Sequence, residues 1–121
     1  GNLVEKWASK KYDVVLDYPV VDGLKVDATS SSGDPVDVKG SMSNGVRPTF
    51  KFWKDQHRTL GDNSGAYLLV SYRAEGKEIA IEKSRSIRAA DIEITNWTFP
   101  GETHYRSHSM EAQIPAGRLL D

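Results

Sequence analysis

The chain has 121 residues, 38% of them hydrophobic and 27% charged. That composition excludes a disordered chain and predicts a single domain over residues 1–121. A formal net charge of −1 gives no whole-molecule field that would draw nucleic acid, so such a partner must be held by a local basic patch. Cysteine is absent, which excludes disulfides and thiolate metal sites and fits a reducing cytoplasm. No apolar run approaches the roughly 18 residues a membrane helix needs. The start, GNLVEKWASKKY, is charged and lacks a signal-like apolar core.

Taken in order, Leu3, Val4, Trp7, Ala8 and Lys11 follow the spacing of an amphipathic helix, with Asn2 as its N-cap. Glu5 lies beside the apolar stripe. There it either complements the helix dipole or reaches over a sheet edge. YDVVLDYPVV predicts a strand over Asp13–Tyr18, a bend at Pro19 and a turn at Asp22–Gly23. Leu24–Ser41 predicts a hairpin whose SSSGD turn centres on Ser32. GSMSNGVRP, from Gly40 to Pro48, reads as a loop passing close to that hairpin, with Ser41, Ser43, Asn44 and Arg47 as hydrogen-bonding groups. TFKFWKDQHRTL predicts an extended entry, then a helix from Phe52 or Lys54 to Leu60, ended by Gly61. Gln56 falls on the face of Phe52 and Leu60, where an amide needs a partner. AYLLVSY, from Ala66 to Tyr72, predicts a buried central strand. A turn at Ala74–Lys77 leads to a strand over Glu78–Glu82, and SIRAADIEI predicts a helix over Ser86–Ile94. The tail from Thr103 reads as a strand or irregular arm. Helix, strand, hairpin, helix, strand, strand is the order of an α/β domain with a mixed central sheet flanked by helices.

The hairpin carries the chemistry. Asp37 and Lys39 are two residues apart, so both leave one face, while Val36 and Val38 take the other. A turn centred on Ser32 opposes Asp27 to Asp37 and points both carboxylates the same way. Like charges directly opposed on a sheet are destabilising. A divalent cation between them removes the repulsion, and Mg²⁺ favours such oxygens. The bland alternative is a solvated hairpin with ordinary surface charges.

Asp27, then nine residues, then Asp37-Val38-Lys39, on a hairpin after a helix bearing Glu5 and before a helix bearing Gln56 and the strand AYLLVSY, resembles the PD-(D/E)xK nuclease superfamily. This is the restriction-endonuclease-like fold, shared with archaeal resolvase-like nucleases. The match runs over residues 3 to 72. It departs from the family pattern at Val26, where proline is expected, and at Asp37, where Glu is commoner. The resemblance implies a Mg²⁺- or Mn²⁺-dependent deoxyribonuclease. Asp27 and Asp37 would be metal ligands, the Val38 carbonyl a third and Glu5 a completing carboxylate. Lys39 would assist the attacking water or the charge on the phosphate, and Gln56 would hold a phosphate or a water. Arg47, Lys51, Lys54 and Arg58 would hold the DNA backbone; the last three also fit a solvated helix face.

Other constellations carry less. His104 and His108 would share a helical face as a zinc pair, but HYRSH has no acidic or cysteine partner nearby and the tail is poorly helical. His57 should face away from Gln56, as a surface or phosphate-contacting residue. A catalytically inactive module of the same fold, binding nucleic acid or a partner protein, is the alternative to an endonuclease. A homodimer or partner subunit suits a nuclease that must cut two strands.

Overall fold

In the computed structural model, which describes residues 2–100 and 109–121, the chain opens with helix α1 (Asn2–Tyr12). The candidate pair His104 and His108 lies outside the described residues, as does the side chain of Asn2. Val4 and Ala8 are the buried face of α1, and Leu3 is half exposed beside it. Two short strands, β1 (Val20–Val21) and β2 (Leu24–Lys25), make a ribbon around the expected turn. Asp22 and Gly23 both have positive φ there, 49° and 81°, the conformation a two-residue hairpin turn needs. Next come β3 (Ala28–Thr29), β4 (Pro35–Met42) and β5 (Thr49–Trp53), then helix α2 (Lys54–Asp62). Two long strands follow, β6 (Ala66–Glu75) and β7 (Glu78–Arg88), and then a 3₁₀ turn at Ala89–Asp91. The chain ends with β8 (Glu111–Pro115) and α3 (Ala116–Leu120).

The central sheet has the order β3-β4-β6-β7. Its β4–β6 pair is parallel and the other pairs are antiparallel. A parallel pair needs a long crossover, and here β5 and α2 supply it. β5 does not join the sheet but pairs with β8. The protein is therefore α/β, with a mixed sheet flanked by helices.

β6 explains why AYLLVSY is so apolar. It lies between β4 and β7 and is buried on both faces. Tyr67 and Leu69 point into one cluster with Phe50, Phe52 and Leu60, under α2 and the β5–β8 ribbon. Leu68 and Val70 point into another, with Val4, Ala8, Ala28 and Val36, under α1. Gly40 lets α1 come down on the sheet. A Cβ there would stand 3.1 Å from the Tyr72 ring and 3.5 Å from Val4.

Four sequence expectations are corrected. Residues 13–18 are not a strand: Asp13 and Tyr18 have positive φ, 55° and 48°, which breaks extension at both ends. The segment's backbone meets its neighbour at points, through the Val15–Thr29 bridge and the Tyr18 N–H to the Asp27 carbonyl, and the Thr29 hydroxyl donates to the Asp17 carboxylate. Ser86–Arg88 is not helical but the second half of β7, opposite Leu68, Tyr67 and Ala66. The ladder to β6 satisfies its backbone and overrides the capped-helix pattern. The loop after β4 starts only beyond Met42. α2 runs through Gly61 to Asp62, and the tight passage falls at Gly65, where a Cβ would sit 2.9 Å from the Leu60 carbonyl.

Candidate active site

The β3–β4 register matches Ala28 with Val36 and Thr29 with Pro35. Continued by one residue, it puts Asp27 opposite Asp37, as the hairpin pattern predicts. The next position would match Val26 with Val38, but there the ladder is diverted. Val26 gives its N–H to the Pro19 carbonyl at 3.0 Å. The Val38 N–H goes instead to Asp27 Oδ2 at 2.8 Å. The strand thus ends so that a carboxylate can take the place of a backbone acceptor. In an extended strand the carbonyl leaves on the same edge as the N–H of its residue. The Val38 carbonyl therefore shares the Asp27 edge of β4.

Asp37 is only 5% exposed. Its Oδ2 lies 3.0 Å from Lys39 Nζ, on the same face of β4. Lys39 Nζ also donates to Gln56 Oε1 at 2.9 Å. The amide on the inner face of α2 thus has the partner it requires. Below them is Tyr67, the β6 register partner of Asp37, whose ring centre lies 5.9 Å from Lys39 Nζ. Burial, and then the Asp37 charge, push the Tyr67 phenol well above its ordinary range. Its hydroxyl is therefore a fixed neutral donor, and it contacts His57 Nδ1 at 2.9 Å. His57 Nε2 lies 3.0 Å from the Ile92 carbonyl, which requires the proton on Nε2 and leaves Nδ1 to accept from Tyr67. Burial lowers the His57 pKa, with the Ile92 carbonyl opposing. His57 is stacked on Tyr67 at 5.7 Å and 10°, so it braces the floor of the site and is not the surface residue expected.

Asp27 is pushed up to about 7. Burial is the largest cause, followed by the Asp37 charge and a hydrogen bond with Asp37; the Val38 N–H opposes, and Glu5 adds a smaller push. Two carboxyls this close do not both ionise without help, and they hold a proton between them or a cation. The donor chemistry fits a hard divalent ion: two carboxylates and a backbone carbonyl on one edge. Glu5 is close enough for its charge to reach Asp27, but its Oε1 is held by the Tyr18 hydroxyl at 3.0 Å. Among the described residues, no three His, Cys, Asp or Glu side chains converge closely enough to hold a metal ion.

A family model described as a PD-(D/E)XK nuclease superfamily domain matches residues 1–121. The chain belongs to this superfamily. No curated protein and no solved structure matches it. Asp27, Asp37 and Lys39 come together on the edge where β3 gives way to a side chain.

The expected backbone-holding residues are not gathered here. Ser43 and Asn44 tie the loop after β4 to Tyr72 and Ala74. That end of β4 is about 17 Å of strand beyond Asp37 at ~3.3 Å per residue. Arg47 is exposed in that loop. Lys51 is on β5, not on a helix, and pairs with Glu111 at 3.6 Å. Lys54 and Arg58 do lie together on α2, but about 160° round the helix from Gln56 at ~100° per residue. They line a pocket of about 280 Å³ with Asp55, Phe99, Ser109 and Met110. Ser41 shares the face of Asp37 and Lys39 and is 3% exposed, with no hydrogen-bond partner for its hydroxyl among the described residues.

Sequence reasoning misses two residues of the site and misplaces a third. Tyr67 was visible only as one apolar residue in a buried run, since its register with Asp37 depends on a parallel pairing that no local pattern signals. His57 was seen but aimed outward. Tyr18 was hidden by a strand pattern that its backbone does not follow.

Proposed function

We propose that the protein is a metal-dependent endonuclease that hydrolyses DNA phosphodiester bonds, with Mg²⁺ or Mn²⁺ as its cofactor. The observation that carries this is the pairing of Asp27 with Asp37 beside a lysine held by Gln56. Asp27, Asp37 and the Val38 carbonyl would hold the ion, with Glu5 at the edge of the set. When bound, the ion supplies a Lewis acid and lowers the pKa of a water near neutrality.

The chain's own groups supply position and charge. An ammonium has three donors, and Asp37 and Gln56 take two of those on Lys39. The third is left for a phosphate oxygen or the attacking water, where it offsets charge that grows in the transition state. Gln56 fixes the direction of that donor, because its carbonyl oxygen is spent on Lys39. The buried Tyr67 ring keeps water from the underside of Lys39, which strengthens each of these interactions. Lys54 and Arg58 would hold backbone phosphates away from the cleavage point, making binding salt-sensitive.

Cleavage of supercoiled plasmid, linear duplex, branched and single-stranded DNA with Mn²⁺ tests this. Wild type should cut at least one of them. Asp37→Ala and Lys39→Ala should lose at least ~100-fold in rate while still binding DNA. A wild type that binds Mn²⁺ but cuts none of these would overturn it.

A further inference from the structure

The segment 17–19 takes no part in the motif, yet it is bound to the motif residue Asp27. Tyr18 gives its backbone N–H to the Asp27 carbonyl at 3.1 Å, while Asp27 Oδ2 accepts the Val38 N–H. The backbone of Tyr18 is unusual. Its φ of 48° is in the left-handed region, which a bulky residue rarely enters. The following residue, Pro19, biases its predecessor toward extended conformations, so two preferences are opposed at once. Strain of this kind persists only where its surroundings enforce it, and it gathers at functional sites.

What the strain achieves is the placement of one hydroxyl. The Tyr18 O–H donates to Glu5 Oε1 at 3.0 Å. The ring is braced by the Lys25 ammonium, 5.5 Å from its centre. Tyr18 is 41% exposed, and a hydrogen bond in that setting contributes little to folding. It does, however, remove the freedom of a glutamate on the opposite side of the sheet edge from Asp37. Glu5 sits on α1 and is tied to Asp27 through Tyr18, whose hydroxyl and backbone N–H reach one each, yet it lies outside any close ligand cluster among the described residues.

We propose that Tyr18 is a positioning residue for Glu5, fixing that carboxylate as the outer partner of the Asp27–Asp37 metal site. The inference rests on the metal-site assignment above. Residues that orient ligands from outside a metal site change affinity by about 10–100-fold when removed.

The test is calorimetric titration of Mn²⁺ alone, without DNA, into wild type, Tyr18→Phe, Glu5→Gln and the double variant, with Asp37→Ala as control. Melting curves without metal check that each is folded. Tyr18→Phe keeps the ring and loses only the hydroxyl; it should weaken Mn²⁺ binding about 10-fold. Glu5→Gln should weaken it at least as much, and the double variant should match Glu5→Gln alone, because Tyr18 acts through Glu5. Unchanged or tighter binding in Tyr18→Phe, or losses that multiply, overturns the proposal. If Tyr18→Phe does not fold, unchanged affinity in Glu5→Gln overturns it and a loss supports it. A wild type that binds no Mn²⁺, or binding that survives Asp37→Ala, defeats the metal site itself and this inference with it. Binding that needs Asp37 but ignores Tyr18 and Glu5 defeats the inference alone.

Discussion

The two faces of β4 carry opposite assignments on alternating residues. Val36, Val38 and Gly40 face α1 and are apolar or absent, so the helix packs directly on the sheet. Asp37, Lys39 and Ser41 face α2 and are polar, in a setting nearly as buried. The first face is what hydrophobic burial alone would choose. The second is what stability alone would avoid, since two carboxyls and an ammonium are desolvated there. One strand thus separates holding the fold from holding the site, and a one-residue shift would exchange them.

This contrast is breakable from either side. The largest effect should come from the apolar face. Leu68→Ala, in the α1 cluster, should cost about 3 kcal/mol in urea unfolding, since it leaves a cavity at a 2% exposed position. Mn²⁺ affinity of the folded fraction should be unchanged. Next is Lys39→Met, which leaves Asp37 buried without its cation. It should cost about 2–3 kcal/mol above neutral pH, with Asp37→Asn in the same chain restoring much of the loss. A third, smaller effect concerns Asp27. Without metal its folded pKa of about 7 lies above the unfolded value of ~3.9. Between these the folded state holds a proton that the unfolded state has lost, so stability falls as pH rises from about 4 and levels off above 7. Asp27→Asn should flatten that profile and be the more stable protein at pH 8, by on the order of 1 kcal/mol. A wild-type profile that instead rises across this window contradicts the paired carboxyls. The smallest effect on folding is expected for Lys54→Ala with Arg58→Ala, within ~0.5 kcal/mol. Their removal should reduce the salt dependence of DNA binding, by about one in slope for each lost phosphate contact.

The site was legible where it depended on local pattern. A Ser/Gly/Asp turn between two alternating runs fixes a hairpin register, and that register opposes Asp27 to Asp37. Helical spacing placed Gln56 inward, where Lys39 meets it. What failed depended on tertiary pairing. Ser86–Arg88 carries a cap and an amphipathic spacing, but β6 claims its backbone. Tyr67 reaches the floor of the site only because β4 and β6 run parallel after a crossover through α2. Lys51 resembled part of a helical cationic face because the strand–helix junction at Trp53–Lys54 cannot be read to within one turn. Tyr18 was lost because its positive φ is enforced by Asp27 and Glu5, which lie distant in sequence.

The central claim is that Asp27 and Asp37 hold one divalent ion between them. Titrating Mn²⁺ into wild type, Asp27→Asn and Asp37→Asn at pH 8, with heat as the readout, tests it most directly. One site per chain in wild type, lost in both variants, is the predicted result. Wild-type affinity retained in either variant would contradict it.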